Sequence, residues 1–451
     1  MRIDKIQLQN FKKYAEQAFD FHKQFTLLVG ENGSGKTTVL DALAVAAGIW
    51  LKNPPDSLLN NSRRNILSSE IRLGAEKKGD RIQLREFSPV VVSATGRIGK
   101  HENVSWTRQI KQGGRQTSNT GAKDALELVK EIYVRDLAGD NVLCPILAYY
   151  GAGRAWLPSN ERAPKPKVSG PARRWAAFYD CFNERIRFAE LHRWFNRETT
   201  ERGNRGGRWR PGFEAVRIAV MNCVQNSDDI WFDTDRNQIV LSISGNAQPF
   251  DNLSAGQRMM LSLVADIAIK AVTQNAFLLP PDQFDTIDNQ LPKVLSETPG
   301  LVLIDELDVH LHPSWQRRVA TDLKRTFPSI QFVCTSHSPQ VIGEVSRDEV
   351  RLLEPSGIKL PSVAYGADSN WLLNHVMEGA SSETPEALHL QNEVEDALEE
   401  GNLVTARTKL EELRGLLDGV TGELARLEGS LSSLELLARE DGNSGGSSEN
   451  N

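Results

Sequence analysis

The segment Gly30-Glu31-Asn32-Gly33-Ser34-Gly35-Lys36-Thr37 fits G-x-x-x-x-G-K-[ST] at every position. No other feature constrains the chain as much, because this loop requires a strand before it and a helix after it. Both are present. Phe25-Thr26-Leu27-Leu28-Val29 is an apolar run ending at Gly30, and Val39, Leu40, Leu43, Ala46 and Ala47 give the stretch from Lys36 to Trp50 a helical apolar stripe. Glycines in such a loop let backbone N–H groups converge on phosphate oxygens, assisted by the positive end of the helix. Asn32, Gly33, Ser34, Gly35 and Thr38 are therefore expected in a phosphate cradle. Lys36 should reach the β- and γ-phosphates, and the Thr37 hydroxyl should ligate Mg²⁺.

With 451 residues, the chain has material for two or three structural units. No apolar run approaches the length of a membrane span, and the opening MRIDKIQLQNFKKY lacks the apolar region of a secretory signal. The four cysteines (Cys144, Cys181, Cys223, Cys334) show no paired spacing, so a reducing cytoplasm is expected. The net charge of −6 hides a gradient. Residues 151–220 hold 15 Lys/Arg against 7 Asp/Glu, whereas residues 381–451 hold 5 against 16. A basic centre and an acidic tail should meet different partners.

Three further motifs follow the loop in order. Asn252-Leu253-Ser254-Ala255-Gly256-Gln257 resembles the LSGGQ signature of the ABC ATPase superfamily, with Ala255 in place of the commoner glycine; Ser254, Gly256 and Gln257 are its candidate nucleotide contacts. Taken alone, the same residues could be a helix N-cap. Leu301-Val302-Leu303-Ile304-Asp305-Glu306 is an apolar strand ending in two carboxylates, Asp305 for the metal and Glu306 as general base. His337 follows the next apolar strand and matches the superfamily's switch histidine; Asp308 matches its D-loop, facing a dimer interface. His310 and His312 lie two apart before a helix with no third ligand evident, which favours structural roles over a metal pair.

These ordered motifs resemble an ABC-type ATPase of the SMC/RecF/OLD-like branch. Asn10-Phe11-Lys12 ahead of the loop resembles the start of that branch, which implies Lys12 or Lys13 near the nucleotide. Leu147–Arg154, Asp305–Gln316 and Tyr365–Asn370 are similar to the ATPases of bacterial defence operons, specifically the PtuA family of Septu-type and retron-associated systems. The resemblance implies an α/β fold: an ABC-ATPase (P-loop NTPase) core with a mixed β-sheet, a helical Arg-rich insert and a C-terminal acidic helical tail. It also implies ATP and Mg²⁺ as cofactors and a homodimer or higher homo-oligomer sandwiching ATP, with Ser254 and Gly256 acting in trans. An HNH nuclease of the PtuB kind is the implied partner, since residues 345–380 lack the clustered acids of a nuclease of their own. A RecF/SMC-like DNA-maintenance ATPase acting without a nuclease is the alternative, and a transporter subunit a distant third.

The expected organisation is an ATPase lobe over 1–153, a basic insert over 154–226, a second lobe over 227–380, an acidic helical tail over 381–440, and disorder over 441–451. Strands near 230–233 and 239–243 are expected to return the chain to the main sheet. In the insert, arginines between Arg154 and Arg210 interleave with Trp156, Trp175, Trp194 and Trp209. They read either as nucleic-acid contact through 154–210, or as a helical lid with tryptophans in the core and arginines paired to glutamates. In the tail, leucines from Leu403 to Leu434 keep coiled-coil spacing, but Gly415, Gly419, Gly422 and Gly429 interrupt them. Two or three short helices are expected, their ridge packing against another chain.

Overall fold

The computed structural model describes residues 1–55, 59, 62–78, 81–155, 174–281, 291–355, 357–367, 369–375, 377, 385–417 and 422–444. The chain opens with an antiparallel pair, β1 (Arg2–Phe11) and β2 (Tyr14–Asp20). A register shift between Ile3 and Lys5 keeps Ile3, Ile6 and Leu8 on the core side despite their uneven spacing. Next come β3 (Phe25–Val29) and the helix α1 (Lys36–Ala47), with the phosphate loop between them. An exposed hairpin, β4 (Leu73–Lys78) and β5 (Arg81–Glu86), precedes β6 (Val90–Ile98), β7 (His101–Ile110) and the short β8 (Thr117–Ser118). Strands β6, β7 and β8 extend the first pair into a five-stranded antiparallel sheet, ordered β2-β1-β6-β7-β8. The helix α2 (Lys123–Leu137) then leads to β9 (Ile146–Tyr150).

The arginine-rich stretch supplies α3 (Phe188–Asn204) and α4 (Pro211–Cys223), and α4 packs on α5 (Ala255–Gln274), the helix that follows the signature. Between them, β10 (Ser227–Asp233), β11 (Gln238–Ile243) and β12 (Asn246–Pro249) form their own three-stranded antiparallel sheet. The expected return of these strands to the main sheet is thus corrected: their short turns close a local meander instead.

The remaining elements complete the nucleotide-binding sheet. They are a helical turn, α6 (Lys293–Ser296), then β13 (Gly300–Ile304), α7 (Pro313–Thr326), β14 (Ile330–Thr335), a second turn, α8 (Pro339–Ile342), β15 (Val350–Glu354) and β16 (Gly357–Lys359). The sheet order is β16-β15-β3-β14-β13-β9, and all neighbours are parallel except the β15–β16 pair. Strands β3, β9, β13 and β14 are buried throughout, which explains their uninterrupted apolar runs. Helix α1 lies between this sheet and the antiparallel one, touching β1 and β6 on one side and β13 and β14 on the other. That position buries nearly its whole circumference. Parallel strands place the phosphate loop, Asp305 and His337 at one edge of the sheet, beyond the strands' carboxyl ends.

The described part of the insert belongs to the first of two compact units, Met1–Ser369 and Asn370–Asn451. Trp175 and Phe178 join the main core with Trp50 and Tyr133, while Trp194 and Trp209 stack on Phe213. Arg174 pairs with Asp136, Arg187 with Asp180 and Glu190, Arg193 with Glu190, Arg197 with Glu198, and Arg210 with Glu198 and Glu201. This is the geometry of the lid reading. Trp156 and Arg173 lie outside the described residues.

The second unit contains α9 (Ser369–His375) apart from its first residue, then α10 (Pro385–Glu399), α11 (Leu403–Leu416) and α12 (Gly422–Ser444). The last three bury a shared core of Ala387, Val394, Ala397, Ala406, Leu410, Leu413, Leu424, Leu427 and Leu431. The expectation that the leucine ridge needs another chain is therefore corrected, because a third helix covers what a pair would leave open. Helix α12 runs to Ser444, into the stretch expected to be disordered; residues 445–451 lie outside the described residues. Leu413 is fully buried. Leu413→Ala is expected to destabilise this bundle by about 2–5 kcal/mol. Hydrogen exchange should show faster opening in α10–α12 with unchanged protection of α1 and β13, and uniform protection would contradict a separate core.

Candidate functional site: a phosphate loop facing two carboxylates

The loop's geometry depends on a glycine that nothing else could replace. Gly35 has φ 104°, and a Cβ there would sit 2.4 Å from the Tyr14 hydroxyl oxygen. Tyr14 donates to the Ser34 carbonyl at 3.1 Å, and the Lys13 ammonium donates to the carbonyls of Gly33 and Ser34, both at 2.7 Å. β2 therefore clamps the loop from outside. Among the described residues, the buried Ser34 hydroxyl has no hydrogen-bond partner. Lys36 donates to the carbonyls of Gly30 and Glu31 at 2.8 and 2.9 Å. Burial lowers the Lys36 pKa, opposed by the negative charges of Asp305, Glu306 and Asp308. Asn32 is exposed at the loop tip and Thr38 is buried in the first turn of α1.

Across the sheet edge, the Thr37 hydroxyl donates to Asp305 Oδ2 at 2.9 Å, and the Thr335 hydroxyl donates to Asp305 Oδ1 at 2.6 Å. Thr335 Oγ1 also accepts from the Glu306 backbone N–H at 2.7 Å. Glu306 has φ 50°, an unusual conformation for a residue with a side chain, and this hydrogen bond holds it there. Asp308 Oδ1 accepts from the Ser336 hydroxyl at 2.6 Å and lies 3.4 Å from the His337 backbone nitrogen, which donates to it. Gln316 completes the frame, donating to the carbonyls of Asp308 and Leu311 and accepting from Ser338. The sequence reading missed Tyr14, Thr335, Ser336 and Gln316. The run Thr335-Ser336-His337-Ser338 was the available signal, three hydroxyls around one imidazole.

The His337 pKa is lowered, mainly by desolvation and next by the Lys36 charge. The unfolded chain accordingly binds this proton more readily, so the group's contribution to stability falls as pH drops below 6.5. An NMR titration of His337 should give a midpoint below 6.5; a midpoint at or above it would contradict the half-buried, cation-facing environment.

One assignment changes. Lys12, expected at the nucleotide, has its ammonium held by Asp41 of α1 and lies 4.0 Å from Glu70. A positive φ at both Asn10 and Lys12 breaks the strand alternation, and it is Lys13 that meets the loop. His312 is a helix cap, its Nδ1 accepting from the Ser314 N–H, which agrees with a structural role. The signature has the geometry of both its readings. Ser254 caps α5 reciprocally with Gln257, while Gly256 is buried so closely that a Cβ would lie 2.6 Å from the His310 carbonyl oxygen. Ser254 and Ala255 are exposed, and among the described residues no hydrogen bond joins the signature to Lys36, Thr37 or His337. Also among the described residues, no group of three or more His, Cys, Asp or Glu is placed to hold a metal, and no helix is long and apolar enough to cross a membrane.

A family model described as "AAA domain" matches residues 5–200, and one described as "AAA domain, putative AbiEii toxin, Type IV TA system" matches residues 244–343. The chain is 24% identical to the Retron Ec83 probable ATPase of Escherichia coli, over 84% of this chain and 77% of the relative. It is 22% identical to the Retron Vc95 probable ATPase of Vibrio cholerae, over 78% and 73%. Septu protein PtuA of Bacillus mycoides is 23% identical over 78% of this chain, which spans 40% of that longer protein. Among solved structures, an SMC head bound to the C-winged helix domain of ScpA superposes with a TM-score of 0.46 at 16% identity, covering 81% of this chain and 98% of that one. A strand–loop–helix phosphate site, a carboxylate pair and an LSAGQ helix on one mixed sheet define an ABC-type ATPase. Within that class, the chain is related to Septu PtuA and to the ATPases of retrons.

Proposed function

We propose that the protein is the ATP-hydrolysing switch subunit of a cytoplasmic anti-phage defence complex, and that it controls a partner HNH nuclease. The observation carrying this reading is the hydrogen-bonded chain from Thr37 through Asp305 and Thr335 to Glu306, while among the described residues no hydrogen bond joins the signature to Lys36, Thr37 or His337. A site completed by the signature of a second copy accounts for both features. Kinship with PtuA and with retron ATPases supports the defence role.

A hydroxyl and a carboxylate oxygen 2.9 Å apart form a hard-oxygen donor set that suits Mg²⁺. Thr37 and Asp305 would hold the ion, which when bound supplies charge neutralisation at the β- and γ-phosphates. Lys36 would exchange its two carbonyl partners for phosphate oxygens, and the free Ser34 hydroxyl would find an acceptor. Glu306 would take the proton of the attacking water. His337, kept neutral by its surroundings, would donate a hydrogen bond to the γ-phosphate without adding charge. Nucleotide state would then set how two copies close, and closure would set access of the nuclease to its target.

The test is co-expression with an HNH nuclease of the PtuB kind during phage infection, comparing wild type with Lys36→Ala. Loss of protection in the variant, with the two proteins co-purifying, supports the switch. Protection that survives Lys36→Ala, or an HNH protein that never co-purifies, would leave the DNA-maintenance alternative standing in its place.

A further inference from the structure

Helix α5 begins at the signature and is apolar along most of its length; Arg258, Asp266 and Lys270 are its charged residues. Asp266 and Lys270 lie one turn apart and pair with each other, their side chains 24% and 16% exposed. A carboxylate so far out of water is costly unless its oxygens are satisfied, and Lys270 is one partner. The other is Tyr150, whose hydroxyl donates to Asp266 Oδ2 at 2.6 Å. Burial, and next the Asp266 charge, push the Tyr150 pKa well up, so the hydroxyl keeps its proton and acts as the donor.

Tyr150 is the last residue of β9, and β9 stands at the end of the sheet order, beside β13. On its outer side the insert supplies loop carbonyls, Cys181 for the Tyr149 N–H at 2.8 Å and Glu184 for the Gly151 N–H at 2.9 Å. Successive residues of a strand face opposite sides of the sheet. Tyr149 joins the core that includes Val39 and Leu40 of α1, and Tyr150 meets α5. The main chain of Tyr150 also reaches the nucleotide site. Its carbonyl accepts the Asp305 N–H at 2.8 Å, one step beyond the register pair of Ile304 with Tyr150. Asp305 is thus held from β14 by the Thr335 hydroxyl and from β9 by the Tyr150 carbonyl. The end of an edge strand has fewer ladder bonds to fix it than an interior one, so a side-chain anchor matters there. The anchor is the signature helix. Asp266 follows Ser254 by twelve residues, roughly 18 Å along α5 at about 1.5 Å per residue.

We propose that Tyr150 is a positioning residue: its hydroxyl ties the end of β9 to the signature helix, and its carbonyl holds Asp305 where Thr37 and the metal need it. The inference rests on the metal role proposed for Asp305 and adds the group that places it. The signature and the metal-holding carboxylate of one chain are thereby kept in one frame. A sandwich of two copies requires this, because each copy brings its carboxylate to one nucleotide and its signature to the other.

The test is Tyr150→Phe, which deletes the hydroxyl and leaves the ring and both main-chain groups. Turnover at saturating ATP is expected to fall at least fivefold, and the Mg²⁺ concentration for half-maximal turnover to rise at least threefold. Affinity for a non-hydrolysable ATP analogue without Mg²⁺ should stay within twofold of wild type, which would show the phosphate loop and fold intact. Asp266→Ala should reproduce these losses, and the double variant should be no more than about twofold worse than either single one, because both remove the same bond. A bond that serves stability alone would lower the melting temperature and leave turnover and Mg²⁺ dependence at wild-type values, and that result would overturn the inference. Losses that multiply in the double variant would overturn it too, since the residues would then act separately. Wild-type turnover indifferent to Mg²⁺ would instead remove the metal role of Asp305, and this inference with it.

Discussion

Glu306→Gln is expected to lower ATP turnover by about 10²–10⁴-fold while leaving nucleotide affinity within a few-fold of wild type. Glutamine keeps the size of the side chain and cannot accept the water's proton. The backbone contact that fixes residue 306, its N–H to the Thr335 hydroxyl at 2.7 Å, does not involve the side chain and should survive. Thr37, Asp305 and Lys36 are likewise untouched, so binding and chemistry should separate. Mass photometry with ATP should then find the variant trapped in a larger assembly than wild type, because the closed state no longer decays. Turnover within twofold of wild type would show that another group is the base. Thr335→Val offers an independent check, since it removes the hydroxyl that serves both Asp305 and Glu306. Turnover should fall there too, but with weakened metal dependence rather than trapping.

The phosphate loop and the carboxylate strand were legible because each is a local pattern whose flanks are also local. An apolar run, a glycine turn and a helix stripe lie within some 25 residues, and the parallel sheet adds only their order. What escaped depends on contacts between distant segments. Lys12 and Lys13 are adjacent, and which of them meets the loop is settled by positive φ at Asn10 and Lys12. No periodicity encodes that. Thr335 joins two acidic residues thirty and twenty-nine positions earlier, so its role appears only once β13 and β14 are paired.

The tail failed for a different reason. Its leucine spacing runs on across Asp418-Gly419 as though one helix continued, which makes the ridge look too large to hide. Folding into α10, α11 and α12 turns separate parts of that ridge toward each other, and Leu410, Leu413, Leu424 and Leu427 share one core. The insert shows the converse: an arginine-rich composition suggested a nucleic-acid surface, but glutamates of α3 pair with Arg187, Arg193, Arg197 and Arg210. Arg185, Arg205 and Arg208 are exposed and have no carboxylate partner among the described residues. They are the arginines to reverse in charge if DNA or RNA contact is to be sought.

Lys36→Ala should act one step earlier than Glu306→Gln, on binding itself. The Lys36 ammonium is buried, and among the described residues it donates to the carbonyls of Gly30 and Glu31, with the charges of Asp305, Glu306 and Asp308 nearby. A triphosphate entering the loop offers it full negative charges in a partly desolvated setting, where hydrogen bonds between ions are about twice as strong as neutral ones. Removing a buried, charge-paired group of this kind costs about 2–5 kcal/mol, or roughly 30- to 4,000-fold in affinity. Calorimetry with a non-hydrolysable ATP analogue should therefore show binding weakened by at least thirtyfold. Lys13→Ala is the control, because its ammonium lies outside the loop on the carbonyls of Gly33 and Ser34. It should loosen the loop and cost no more than about tenfold. Equal losses in the two variants would mean that both lysines meet phosphate, and unchanged affinity in Lys36→Ala would remove the loop from the nucleotide site.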